Sequence, residues 1–272
     1  AVPDAVLPFH IKKDDAVARI RQFVDKRRLF ALKEFKEQFT PENVVGVYLP
    51  YMIVDGNASA DVAGKGEIKT REYTRGTDNN KKTYYDADIY QVGRHVDFTV
   101  DDLPLESSTE RGNLDVRVNT NNIINTILPF DTKNAVKWNA SYLSGFTSEK
   151  RDSNVEHLHP RLEDQLLSIA RAQVEASVRR YDRGVRWEQE KLDVHGTRWV
   201  SMYLPVWLYS YHQPGAGAGG SGGGMLHYIA VNGRTGETMG SVPVQQWKLL
   251  LAALSVGTII ESIVIAILAG SS

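Results

Sequence analysis

The chain has 272 residues, room for one or two ordinary domains, and its hydrophobic fraction of 42% is enough to fill a sizeable core. Lys and Arg number 32 against 33 Asp and Glu, a net charge of −1, so no long-range field gathers nucleic acid, which is not expected as a partner. Cysteine is absent, which excludes disulfides, thiolate zinc sites and cysteine nucleophiles.

The opening Ala1-Val2-Pro3-Asp4 lacks the basic start and apolar run of a secretion signal, and with no initiator Met the chain is expected to begin inside a longer one. Asp14 and Asp15 can cap a helix whose apolar positions Val17, Ile20, Phe23 and Val24 recur at helical spacing, with Arg27 and Arg28 near its end. A second short helix is predicted over Leu32 to Phe39, with Leu32, Phe35 and Phe39 on one face and Pro41 closing it. Runs rich in β-branched and aromatic residues follow at Val44 to Val54, Glu67 to Thr74, Lys82 to Val100 and Leu114 to Arg117, with a turn at 76–80. Leu162, Leu166, Ile169, Ala170, Val174, Val178 and Tyr181 form an apolar stripe on a helix predicted over 161–182. Val185 to Val194 and Thr197 to Tyr211 read as strands. Met225 to Val231 and Glu237 to Val244 read as a hairpin around Asn232-Gly233. Between them, 215–224 is nearly pure glycine and reads as a flexible loop; no Lys-Ser/Thr and no helix start follow it, so it is not a phosphate-binding loop.

These elements predict an α+β fold of antiparallel sheets with packed helices. An internal echo, Leu7-Pro8-Phe9 with Leu128-Pro129-Phe130 and Val47-Tyr48-Leu49-Pro50 with Met202-Tyr203-Leu204-Pro205, points to two related subdomains, 1–127 and 128–246, unless it is a chance recurrence of a strand-edge Leu-Pro. The C-terminal segment 247–269 adds one transmembrane helix. Its apolar run from Leu249 to Leu268 carries a single charge and, at about 1.5 Å per residue, crosses a hydrocarbon core of about 30 Å. A buried helix of a soluble protein is the alternative. Trp247 and Lys248 stand where an interfacial anchor belongs, and with no secretion signal the body is expected on the cytoplasmic side of a single-pass membrane protein.

Within that run Glu261 is expensive in lipid unless protonated, paired or buried in protein. Gly257 and Ser262 beside it allow close helix approach, so the three residues are expected to form an intramembrane contact with a partner or a second copy; a neutral Glu261 tolerated in lipid is the alternative. Lys26-Arg27-Arg28 reads as a solvated helix end that could also meet anionic lipid. Glu156-His157-Leu158-His159 offers two imidazoles two residues apart. On a strand they would project to one side and could ligate zinc; in an exposed loop they are simply solvated. Gly219 to Gly223 has the letters of a serine nucleophile elbow but sits in the glycine tract, and Asp14/Asp15 and Asp101/Asp102 sit where caps and turns want them.

Leu128-Pro129-Phe130-Asp131, Tyr142-Leu143-Ser144-Gly145-Phe146 with Glu149, the long helix, Tyr203-Leu204-Pro205-Val206-Trp207, Ile229-Ala230-Val231-Asn232-Gly233 and Thr235-Gly236 occur in an order that resembles the bacterial YdjG-like membrane proteins with a TFIIB-type zinc ribbon, a family also labelled as primosomal-helicase relatives. That family places a four-cysteine ribbon ahead of the segment matching Leu7; with no cysteine here, no zinc is carried over and no cofactor is expected in this chain. The resemblance implies a cytoplasm-facing scaffold in membrane-stress systems, beside SPFH-domain (flotillin-like) and phage-shock-protein-A-like partners and membrane lipid, assembling with itself or with them. The expected function is a non-catalytic, membrane-anchored scaffold or adaptor. The alternatives are a metal-dependent hydrolase using His157 and His159 and a nucleic-acid-associated protein.

Overall fold

A computed structural model of the chain describes residues 2–27, 31–76, 81–108, 127–213, 225–245, 248 and 254. In chain order its elements are β1 (Ala5–Val6), α1 (Lys13–Asp25), α2 (Lys33–Gln38), β2 (Val44–Arg75), β3 (Lys82–Glu106), β4 (Val136–Lys137), β5 (Thr147–Ser148), α3 (Val155–Glu175), β6 (Val185–Gln213), β7 (Met225–Asn232) and β8 (Thr238–Gly240). Hydrogen bonding joins the strands in the order β3-β2-β6-β1-β4, with β5 also beside β2, β7 also beside β6, and β8 beside β7. β5 runs parallel to β2. The expected α+β arrangement of purely antiparallel sheets is therefore corrected to one large mixed sheet dominated by three long strands.

Those strands hold 32, 25 and 29 residues, far beyond the usual 3–10. The sequence pattern breaks β2 and β6 into shorter runs because glycines and charges interrupt the alternation. Gly64 and Gly66 are not turns: a Cβ on Gly64 would lie 2.2 Å from the Arg186 carbonyl oxygen, and one on Gly66 would lie 2.5 Å from the Tyr181 ring. They are places where β2 must let a neighbour in close. β2 and β3 pair antiparallel with two register shifts, between Val54 and Gly56 and between Lys69 and Arg71. At the first, the Asp102 N–H donates to Asp55 Oδ1 at 2.9 Å, holding Asp102 at φ 55°.

Packing groups the chain into two interleaved units, where the sequence reading sets one boundary after 127. The first is drawn from Tyr51–Gly112 and Arg151–Met202, the second from Val2–Pro50, Asn113–Lys150 and Tyr203–Ser272; β2 and β6 run through both. The internal echo falls in the second unit except for Met202.

In the first unit α3 lays Leu158, Leu162, Leu166 and Ala170 on Met52, Val54, Ala58, Ala60, Phe98 and Val100. The stripe spaced four residues apart is the buried face of the amphipathic pattern. The helix begins at Val155 rather than 161, because Asn154 caps it: its Oδ1 accepts the His157 N–H at 3.0 Å, ahead of Pro160. It ends at Glu175, and a 3-10 turn, Ala176–Val178, continues the chain toward Tyr181. There Val178 and Tyr181 pack on Val92, so the C-terminal part of the predicted stripe is also buried.

In the second unit Ile20, Phe23 and Val24 of α1 and Phe35 of α2 share a core with Tyr209, Tyr211, Ile229 and Val231. Phe35 meets Tyr211 edge-on at 5.1 Å. Asp14 and Asp15 occupy the first turn of α1, where the helix dipole favours them, while the cap position itself is Lys12. The predicted hairpin is present as β7 and β8.

The expected transmembrane helix is not supported: among the described residues no helix is long and apolar enough to cross a membrane. The segment 247–269 lies outside the described residues except for Lys248 and Leu254. The single-pass membrane location and the cytoplasm-facing body rested on that span and are set aside with it. So are the zinc-ribbon and SPFH-associated characterisations: the chain has no cysteine to build a ribbon, and nothing in the fold points to an SPFH partner. The run Leu114 to Arg117 and the glycine tract 215–224 also lie outside the described residues.

Candidate functional site

Of the residues singled out for an intramembrane contact, Glu261, Gly257 and Ser262 lie outside the described residues, as does Trp247. Lys248 is half-buried, and its backbone N–H donates to the Gln245 carbonyl at 3.0 Å. His157 and His159 are neither on a strand nor in a loop; both sit in the first turns of α3. At about 100° per residue, two positions on a helix separate side chains by about 200°, so the rings diverge. His159 lies 5.5 Å from the Trp199 ring, and His157 stands in solvent. Among the described residues no group of three or more His, Cys, Asp or Glu is placed to hold a metal ion.

Several of the motif residues that carry the resemblance meet at one joint in the second unit. Asn232, fully buried, donates from Nδ2 to the Ile127 carbonyl at 2.9 Å and to the Pro129 carbonyl at 3.1 Å. Its Oδ1 accepts the Arg234 and Thr235 N–H groups at 2.9 and 3.0 Å. Arg234 in turn reaches Asp131 at 3.3 Å. Nearby, the Tyr203 hydroxyl donates to the Glu149 carbonyl at 2.8 Å, and the Trp207 indole donates to the Ile11 carbonyl at 2.8 Å. The Asn232 amide, the Tyr203 hydroxyl and the Trp207 indole are satisfied by backbone, which is the behaviour of a structural lock rather than a reacting centre.

The first unit exposes a different chemistry on the β2–β3 ribbon. Asp61 stands opposite His95 in the pairing register, and Asp97 is two residues further on the same face. His95 Nδ1 lies 2.8 Å from Asp61 Oδ1, and Nε2 lies 3.5 Å from Asp97 Oδ2. The hydrogen bond to Asp61 first, then the charges of both carboxylates, hold the imidazole pKa above its ordinary value. On the α3 side Arg171 grips Glu190 through two hydrogen bonds, holding that carboxyl below its usual range.

The bulge between Lys69 and Arg71 decides what the far end of the ribbon presents. Before it, Glu67 pairs with Ile89 and Lys69 with Ala87; after it, Arg71 pairs with Asp86, Tyr73 with Tyr84 and Arg75 with Lys82. The extra residue moves Arg71, Tyr73 and Arg75 to the face of β3 that carries Lys82, Tyr84, Asp86 and Tyr90, opposite the face of His95. Tyr73 and Tyr84 stack at 6.0 Å and 18°, and the guanidinium groups of Arg75 and Arg71 lie 5.3 and 5.9 Å from the Tyr73 ring centre. On the other face Arg183 lies over the Tyr85 ring at 5.3 Å and donates to its hydroxyl, which itself donates to Glu67 at 3.2 Å.

This stretch carries no catalytic spacing and is not among the sites expected from the sequence. The signal present in the sequence was the alternation of Arg and Tyr in Arg71-Glu72-Tyr73-Thr74-Arg75 and the doublet Tyr84-Tyr85.

No family model matches the chain, and no solved structure matches it. It is similar to an uncharacterized protein, YdjG, of Bacillus subtilis (strain 168), with 21% identity over 246 residues, covering 90% of this chain and 65% of that protein. The chain thus spans a little under two thirds of the length of that relative.

Proposed function

We propose that the chain is a non-catalytic adaptor that docks a partner protein through the end of the β2–β3 ribbon, over 67–75 and 82–90. The observation that carries this reading is the set of large side chains held in water there: Ile89 is 65% exposed, Tyr84 45%, Tyr90 40% and Tyr85 38%. A single exposed apolar side chain is ordinary; here two stand on each face of one short ribbon, Tyr84 and Tyr90 on one and Tyr85 and Ile89 on the other. They contribute little to the isolated fold, since burial is what makes such side chains stabilising, by about 1.5–3 kcal/mol each. Tyr and Arg are also the residue types that dominate binding hot spots. The alternative of a hydrolase at His157 and His159 has no geometric support, because the helix sends the two rings apart.

Site-specific photo-crosslinking tests the proposal. A benzophenone side chain introduced at Ile89 or Tyr84 is expected to trap one discrete protein in cells. The same group at Tyr142, 38% exposed in the second unit, serves as the control. Adducts at the ribbon no stronger than at the control refute the docking role.

A further inference from the structure

The geometry points to an extended acidic segment of a partner protein as the occupant of this ribbon, paired along the edge of β3 with its carboxylates over Arg75 and Lys82; the inference rests on the docking role proposed above. Arg75 and Lys82 are directly opposite in the β2–β3 register. Like charges in that position work against the pairing that holds them together. Both side chains are exposed, and among the described residues neither forms an ion pair or a hydrogen bond through its side chain. An anion placed between them turns a repulsion into two charge-assisted contacts, and the guanidinium offers paired donors suited to a carboxylate.

Two further features narrow the anion. The Tyr73 ring already has Tyr84 stacked beside it and the Arg71 and Arg75 guanidinium groups close to it. A nucleobase needs an open ring face to stack on; Tyr73 is flanked by Tyr84 and the two guanidinium groups, and Tyr84 has one face taken by Tyr73. β3 also lies at the end of the strand order, with β2 as its strand partner. An extended chain added there gains backbone hydrogen bonds and presents alternate side chains to one face. Asp86 and Asp88 lie further along β3 and oppose negative charge there. The segment is therefore acidic where it meets Lys82 and Arg75, and apolar or aromatic where it meets Tyr84 and Tyr90.

The test uses the full chain and three probes in fluorescence anisotropy at low salt: an extended peptide with Glu residues at one end and Val and Tyr at the other, the same peptide with Gln for Glu, and an oligothymidylate. The Glu peptide is expected to bind, to weaken at least tenfold when Gln replaces Glu, and to weaken at least tenfold against the double variant Arg75→Glu with Lys82→Glu. Circular dichroism and the urea midpoint of that variant show that it is folded, and Tyr84→Ala, which removes no charge, is expected to weaken both peptides alike. Equal binding of the Glu and Gln peptides overturns the acidic partner and leaves the docking role standing. Binding of the oligothymidylate in preference to the peptides overturns both. No binding of any probe overturns the acidic inference, while crosslinking at Ile89 judges the docking role separately.

Discussion

Replacing Asn232 with alanine takes four hydrogen bonds at once from the joint where the family-like motifs meet. Its amide spans the Ile127 and Pro129 carbonyls on one side and the Arg234 and Thr235 N–H groups on the other. The two N–H groups belong to half-buried and exposed residues and can turn to water. The Ile127 carbonyl belongs to a residue with no exposed surface and has nowhere to turn. One orphaned carbonyl at about 1–3 kcal/mol, with the net loss of about 1 kcal/mol for each of one or two further bonds, gives an expected destabilisation of about 3 kcal/mol. Asn232→Asp keeps the shape and the acceptor but sets a carboxylate against two carbonyl oxygens, so its effect is expected to be at least as large. Urea unfolding followed by the fluorescence of Trp207, buried in the same unit, reads both. A midpoint shift for Asn232→Ala equivalent to less than about 0.5 kcal/mol, the scale of an ordinary surface change, refutes the reasoning that this motif is a lock. In that case its residues would have to be reconsidered as a binding or reacting site.

Leu162, 1% exposed at the centre of the α3 interface, is expected to destabilise by about 2–5 kcal/mol on truncation to alanine, whereas the exposed neighbour Glu163→Ala changes stability by less than about 0.5 kcal/mol; urea midpoints compare them. Burial pushes the His227 imidazole below its ordinary pKa, so its contribution to stability is complete above about pH 6.5 and is lost as the pH falls through the lower folded value. The carboxylates beside His95 do the opposite: that contribution is complete below about pH 6.5 and disappears as the pH rises through the raised folded value. Urea midpoints from pH 5 to 8 are therefore expected to lose acid sensitivity in His227→Gln and alkaline sensitivity in His95→Gln, and an unchanged profile in either variant contradicts the assignment for that histidine.

What could be read from the sequence follows how locally each element is determined. The apolar residues Leu158, Leu162, Leu166, Ala170 and Val174 of α3 repeat at about one turn's spacing, so periodicity alone finds the helix and its buried face. The β7–β8 hairpin is equally local: alternating apolar residues flank Asn232-Gly233, and the Asn232 side chain closes the turn by accepting two N–H groups within three residues. His157 and His159 were misplaced by the same kind of local reasoning. Pro160 argues for a loop until the Asn154 cap is seen to start the helix ahead of it. The sequence pattern divides β2 into runs at Val44 to Val54 and Glu67 to Thr74 because the alternation is interrupted between them, whereas Gly64 and Gly66 there are each required by something far away in the chain, the Arg186 carbonyl and the Tyr181 ring.

The docking end of the ribbon was illegible for a related reason, and the reason says what kind of information it contains. Arg75 and Lys82 are unremarkable as letters on either side of a predicted turn; they become a pair of facing cations only through the register. That register depends on the bulge at Thr70 between Lys69 and Arg71, since unbroken alternation through Thr70 would put Arg71, Tyr73 and Arg75 on the face of Glu67 and the His95 cluster. Deleting Thr70 therefore tests fold and function together. With Thr70 gone, Lys69 still faces Ala87 and Arg71 still faces Asp86, so regular alternation keeps Tyr73 opposite Tyr84; acidic-peptide binding is expected to be retained, and the α3 core, which lies nearer the other end of the ribbon, keeps its urea midpoint within about 1 kcal/mol of equivalent stability. Retained acidic-peptide binding with a retained midpoint would show that recognition follows the pairing register, whereas loss of binding with a retained midpoint would mean that the bulge itself shapes the site.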